Sequence, residues 1–266
     1  MERGLIKTSV GYIHYRAMGQ GKPIILLHTS RQSSAMFPEL MEVLGKRLRV
    51  FAIDCPSYGM SDHVSGQPSF SDYARWVIEV MDGLELKKAS FMGEAGGAFL
   101  SVELANAYAK RVERIILVNC PFWPNKEVHR TEYPPIRSAL RPSDSSGFPL
   151  TLTLEFVLEN DPLHVPMHPT QSWMDRTNVA YIAAGRDRWQ IPDAIEEYDL
   201  ASNLERLQCP VLLMWGDHFH RFQFKDEFSR RIKNNQVLVI KDGRYNVAWE
   251  HPEEVGEAIL RFMSDD

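Results

Sequence analysis

The sequence predicts a doubly wound α/β sheet, and three observations carry that prediction. Short, continuous apolar runs recur along the chain, amphipathic stretches separate them, and one boundary between the two is packed with glycine. Uninterrupted apolar strands suit a parallel sheet covered on both faces, and their alternation with helices is the mark of the α/β class.

The elements follow in order. Pro23–His28 (PIILLH), Val50–Ile53, Ala89–Met92, Arg114–Val118 (RIILV), Val211–Trp215 (VLLMW) and Val237–Ile240 read as strands. Helical stretches are expected at Met36–Leu48, Ser69–Leu84, Ala98–Lys110, Lys225–Lys233 and Pro252–Met263. Ser69 and Ser71 are candidate caps for the second helix. His251-Pro252-Glu253-Glu254 opens the last with proline in the first turn and acids at the positive end of the helix dipole. The stretch from Pro121 to Leu200 breaks the rhythm. It holds most of the sixteen prolines and the loop RPSDSSGFP (Arg141–Pro149), with helical patterns only around Leu150–Glu159 and Trp173–Ala184. Residues 1–120 and 201–266 are therefore expected to form one core, with 121–200 inserted as a helical lid.

Composition bounds the function. The chain has 266 residues, 44% hydrophobic and 24% charged, with a formal net charge of -5. That is ample for a core, and the mild acidity argues against nucleic-acid or anionic-membrane partners. The first residues, MERGLIKTSVGYIHYRAMG, contain no apolar signal-peptide segment, and no 18-residue apolar stretch occurs. Cys55, Cys120 and Cys209 are scattered and odd in number, which reads as reduced thiols in a cytoplasmic protein. His164 and His168 have i,i+4 spacing, but Pro166 between them breaks the helix that would align them, so no metal is expected. No cofactor is expected either.

Four landmarks carry a resemblance over nearly the whole chain. LLHTSRQSS (Leu26–Ser34) follows a strand, DCPSYGMSD (Asp54–Asp62) forms a turn motif, GEAGG (Gly93–Gly97) joins strand to helix, and EHPEEV precedes the final helix. Together they resemble the α/β-hydrolase fold superfamily. The resemblance implies a mostly parallel sheet with a lid after the sixth strand. It implies an oxyanion loop at His28–Ser30 and a nucleophile elbow centred on Ala95. In the turn motif, Ser57 stands where the family has glycine.

At the catalytic positions the chain departs from the family. Ala95 occupies the place of the nucleophilic serine, or of the aspartate in dehalogenase-like relatives. Phe219, in GDHF (Gly216–Phe219), stands at the acid, with Asp217 filling that role instead if the loop register shifts by two residues. Tyr245, counted back from WEHPEE, stands at the general-base histidine. The loop HTSRQS and the elbow GEAGG resemble a divergent subgroup that lacks the Ser-His-Asp triad. A single serine-to-alanine change at position 95 is an alternative for the elbow, but it does not account for the other two positions.

A backbone oxyanion hole survives such losses. The N–H of Gly96 and one from Thr29 or Ser30 could converge on a carbonyl oxygen. Glu94 is a candidate general base if burial raises its pKa, or else a lid-contacting carboxylate. Arg31 could clamp a substrate carboxylate or hold its loop by a salt bridge. Tyr245 could donate a proton or simply fill the vacated space. His218 and His220 flank the acid turn as possible displaced imidazoles or plain loop residues, and His28 reads as an organiser of the oxyanion loop. Cys120 is expected near the pocket as a small buried residue, and Trp123 and Trp249 as part of its aromatic lining. These readings anticipate an enzyme acting on a small, largely apolar carbonyl compound without a triad, as a lyase, decarboxylase, isomerase, cyclase or water-attack hydrolase. The alternative is a non-catalytic ligand-binding member of the superfamily.

Overall fold

In the six strands whose apolar runs are unbroken, alternate side chains enter opposite faces of one sheet. The computed structural model describes residues 1–30, 32–125, 127–129, 131–132 and 143–264. Its strands are β1 (Glu2–Thr8), β2 (Gly11–Met18), β3 (Pro23–Leu27), β4 (Arg49–Ile53), β5 (Ala89–Glu94), β6 (Val112–Val118), β7 (Val211–Gly216) and β8 (Asn235–Ile240). They form one sheet in the order β1-β2-β4-β3-β5-β6-β7-β8. The pairs β1–β2 and β2–β4 are antiparallel, and the run from β4 to β8 is parallel. This is the α/β-hydrolase fold.

The two faces are apolar for the same reason that the runs are continuous. Ile25, Leu27, Phe91, Ile115, Leu117 and Leu213 bury on one face against α2 (Phe70–Gly83) and α3 (Gly96–Ala107). Ile24, Leu26, Met92, Ile116, Val118 and Met214 bury on the other, against α1 (Pro38–Leu44) and the C-terminal helix Pro252–Ser264. Helix α2 starts where Ser69 accepts from the Asp72 amide while Asp72 accepts from the Ser69 amide, a reciprocal capping box.

Strands β1 and β2 were absent from the sequence expectation. The residues of β1 alternate between exposed and half-buried, so the strand offers no apolar run and is held by its pairing to β2. Helix α1 spans only Pro38–Leu44, shorter than the expected Met36–Leu48, because a short 3₁₀ turn precedes it and Gly45 closes it. Between β6 and β7 lie α4 (Leu154–Asn160), α5 (Gln171–Ala184), α6 (Gln190–Glu197) and α7 (Leu200–Glu205). The expected loop at Arg141–Pro149 falls partly outside the described residues. Beyond β7 come α8 (Lys225–Arg230), α9 (Val247–Glu250) and α10, the helix Pro252–Ser264.

Candidate active site

The turn from β5 into α3 is strained at its centre. Ala95 has φ 49° and ψ −108°, a conformation that costs an L-residue about 1–3 kcal/mol. Its neighbours enforce it. A Cβ on Gly93 would lie 2.0 Å from the Gly97 carbonyl oxygen, and one on Gly97 would lie 2.1 Å from the Leu27 oxygen. The helix therefore starts hard against the ends of β5 and β3. That is the geometry of a nucleophile elbow, and here it carries a methyl group.

The same approach brings the oxyanion-loop backbone beside the helix start. Ser30 N lies 3.5 Å from where a Cβ on Gly96 would stand, with Ile191 Cγ2 and Ile195 Cδ1 of α6 at 2.9 and 3.8 Å from that point. Amides in a first helical turn have no acceptor within the helix, so the Gly96 N–H is left for an acceptor outside it. His28 fixes the loop. Its Nε2 accepts from the Cys55 amide at 3.0 Å, which makes Nδ1 the protonated nitrogen, donating to the Thr29 carbonyl at 2.7 Å. Burial lowers the pKa of this ring, which keeps it neutral.

Asp54, at the end of β4, holds the adjoining turn. It pairs with His14 at 2.9 Å and accepts from the amides of Ser34 and Met60. Burial alone would raise its pKa, but His14, His28 and those amides outweigh burial and hold it low. Ser57 takes φ 71° in this turn, the left-handed conformation that explains why glycine is the family's residue there.

Asn119 ties the end of β7 to the loop that carries Tyr245. Its Oδ1 accepts from Gly216 N at the end of β7, and its Nδ2 donates to the carbonyls of Arg244 and Tyr245. One residue earlier, the Val118 carbonyl accepts from Ala95 N at 3.0 Å. Residues 118–119 thus tie the elbow to the loop carrying Tyr245, and Ala95, Phe219 and Tyr245 belong to one buried apolar cluster. The Phe219 and Tyr245 ring centroids are 6.1 Å apart.

Glu94 is fully buried and faces α9, where Ala248 N donates to its Oε1 at 3.4 Å. Its Oε2 has no hydrogen-bond partner among the described residues, and burial pushes its pKa up to about 8. His220 stacks near Tyr245 and at 4.5 Å from Phe219, within the cluster. His218 is elsewhere. Its half-exposed ring lies 3.9 Å from both Asp217 and Asp242. Cys120 is buried, and desolvation raises its thiol well above the ordinary range, so it holds no thiolate at neutral pH. Trp123 stacks on His129 at 4.2 Å beneath the Arg221 guanidinium, while Trp249 packs under Arg176 at 4.2 Å. Arg31 lies outside the described residues. Among those described, no His, Cys, Asp and Glu groups have metal-binding geometry.

One pair in this region was not read as a site from the sequence. His164, considered there only with His168, donates or accepts through Nδ1 at 2.9 Å from Asp161 Oδ1. Its ring packs edge-on against Tyr245, 5.1 Å between centroids, and lies 4.6 Å from His220. The spacing D-x-x-H was visible, but its contact with Tyr245, 81 positions away, was not.

A mostly parallel sheet with a strained elbow at the end of β5 defines an α/β-hydrolase-type protein. The chain belongs to the α/β hydrolase family, whose profile matches residues 24–258. It is 34% identical over 266 residues to haloalkane dehalogenase 2 of Mycobacterium bovis, covering 95% of this chain and 92% of that protein. It is 22% identical over 256 residues to (E)-2-((N-methylformamido)methylene)succinate hydrolase of Acinetobacter baylyi, covering 94% and 93% respectively. The crystal structure of a hydrolase from Pseudomonas aeruginosa superposes with a TM-score of 0.81 at 20% identity, covering 98% of each chain. No helix among the described residues is long and apolar enough to cross a membrane.

Proposed function

We propose that this protein is an enzyme that hydrolyses a small, largely apolar carbonyl compound by direct attack of water, with no covalent intermediate and no Ser-His-Asp triad. One observation carries the reading. The elbow keeps its strained φ of 49° at Ala95, and the rings of Phe219 and Tyr245, the residues that the family resemblance puts at the acid and base positions, lie 6.1 Å apart. Losing nucleophile and base together costs about 10⁶ in rate, and about 10³–10⁴ over water is retained by oxyanion stabilisation and binding. That remainder is backbone work. The amides of Gly96 and of Ser30 or Thr29 would hold the carbonyl oxygen as it becomes an oxyanion. Tyr245 would donate a hydrogen bond to the substrate, and Glu94 would support the Tyr245 loop from beneath through Ala248. Residues 121–200 serve as the lid in this reading, with Ile191 and Ile195 of α6 over the elbow excluding bulk water. The names of the relatives, a hydrolase and a dehalogenase, support a reaction at a small molecule. No cofactor enters the scheme, and a cytoplasmic setting suits three free cysteines.

The test is turnover of a panel of p-nitrophenyl esters combined with intact-mass measurement during turnover. Hydrolysis above a heat-denatured control, with the protein mass unchanged, is the expected result. An acyl adduct on the chain would overturn it by revealing a nucleophile. Silence on every ester, together with recovery of an unaltered small molecule from the folded protein, would establish the binding-protein alternative instead.

A further inference from the structure

Helix α5 is apolar on two sides. Trp173, Met174, Ala180, Tyr181 and Ala184 are buried on one, yet Val179 and Ile182 on the outer side are 67% and 55% exposed. A surface helix ordinarily turns polar side chains to water there. The apolar surface continues onto the chain that precedes α4. Asn178 clasps the Leu152 backbone, accepting from its amide at 2.9 Å and donating to its carbonyl at 2.8 Å, and the Arg186 guanidinium covers the Phe148 ring at 4.6 Å. Residues 148–152 therefore run beside the C-terminal half of α5 in the opposite sense. Eight residues at helical rise and four extended ones both span about 12–13 Å, which sets Leu150 level with Ile182. Phe148 and Leu150 are exposed as well, so four large apolar side chains share one outer surface.

We propose that this surface joins two copies of the chain in a two-fold dimer, with their α5 helices antiparallel. The outer side of α5 and its continuation carry Asp175, Val179, Ile182 and Arg186, at spacings of four, three and four residues. That spacing reads the same from either end. A second copy turned about a two-fold axis at the middle of the stripe sets Val179 against Ile182 of that copy, and Asp175 against its Arg186, twice over. The interface is then isologous, and its two ends are complementary in charge. Asp175 accepts from Gln171 of its own helix and Arg186 meets the Phe148 ring, so neither forms an ion pair among the described residues. The size fits as well. The four apolar side chains leave about 400 Å² to water, the extent at which a patch on a monomer marks an interaction site. A standard interface covers about 800 Å² per partner, a little over half of it apolar, and a patch of this size supplies its centre. The dimer is independent of the reaction proposed above.

Sedimentation equilibrium over a range of concentrations reads the association. It is run on the wild-type protein, Ile182→Glu, Asp175→Arg, Arg186→Asp and the double variant carrying both charge reversals; far-UV circular dichroism verifies each fold. The expected wild type is a dimer with a micromolar or tighter Kd. Ile182→Glu brings a carboxylate from each copy into the apolar centre and should weaken the dimer about 100-fold or more. Each single charge reversal should weaken it about tenfold, because like charges then meet at both ends, and the double variant should recover the wild-type Kd. That recovery is one that a merely structural role for either side chain would not give, and it stands as the test if Ile182→Glu fails to fold. A monomeric wild type overturns the proposal. So does a dimer that a folded Ile182→Glu or the charge reversals leave intact, because such a dimer joins elsewhere. A double variant no tighter than the single reversals overturns the antiparallel pairing. A monomer that co-sediments with phosphatidylcholine vesicles, and no longer does so as Ile182→Glu, gives the surface to lipid and overturns the dimer too.

Discussion

Glu94 and Ala95 are adjacent residues held in costly states, one electrostatic and one conformational. Ala95 keeps its strained backbone because Gly93 and Gly97 are pressed against neighbouring carbonyls, so the turn cannot relax without moving β3 or α3. Glu94 sits fully buried with only the amides of Ala248, at 3.4 Å, and Val247 as donors, and desolvation lifts its pKa from 4.5 to about 8. Linkage fixes the sign of the consequence. Between pH 4.5 and about 8 the folded chain holds a proton that the unfolded chain has released. The stability this group contributes is complete below the unfolded pKa and is lost as pH rises toward the folded one, by up to about 1.4 kcal/mol per pH unit. Glu94→Gln keeps the acceptor for Ala248 and cannot ionise. The variant should therefore gain on the wild type as pH rises from 5 to 8 in urea unfolding. Two stability curves that run parallel over that range would show that Glu94 ionises as it does in water.

Three strand ends and a loop meet at Asn119. Its side chain accepts from β7 at Gly216 and donates to the backbone of the Tyr245 loop, and its own backbone takes φ 43°, which asparagine tolerates better than most residues. Asn119→Ala leaves two carbonyls and an amide without that partner, at a cost of about 3 kcal/mol. The same change should lower ester turnover, since it frees the loop that positions Tyr245; urea unfolding and p-nitrophenyl butyrate kinetics read the two effects. Unchanged stability would mean that water replaces the side chain without loss. Elements of this kind mark the limit of what the sequence makes legible. The six parallel strands and the elbow are readable because unbroken apolar runs and close glycines leave local signals. Strands β1 and β2 gave no such signal, being stabilised by pairing rather than by burial of an apolar run. The expectation that positions 95, 219 and 245 depart from the family pattern was legible by counting from motifs. The Asp161–His164 contact with Tyr245 was not, because it joins segments with no shared local pattern.

The described residues form two large apolar cores, one on each face of the sheet, and a third, much smaller cluster of Leu152, Val157, Val165, Trp173, Met174 and Tyr181. That third cluster is what α4 and α5 have to stand on. The same stretch leaves Phe156, Leu158, Leu163, Val179 and Ile182 exposed, so much of its apolar surface gains nothing from folding. Polar ties compensate in part. Arg176 pairs with Glu39 through both nitrogens and covers Trp249, Gln32 donates to Thr177, and Trp173 donates to Asn246 beside the Tyr245 loop. Local opening free energy follows buried apolar contact, so stability should be graded across the chain. In native-state hydrogen exchange, the amides of α4 should open at a free energy well below those of β5 and α3, with α5 between them. Trp173→Ala removes the largest side chain of the third cluster, worth about 3–5 kcal/mol, and should lower protection in α5 while α3 keeps most of its own. If α4, α5 and the central strands instead open together with one common free energy, the segment is as firmly part of the core as the sheet itself. A separate, lower opening free energy would give the inserted segment the independence that a lid over Ala95 requires. It would also mean that His164 is carried to and from Tyr245 by that motion.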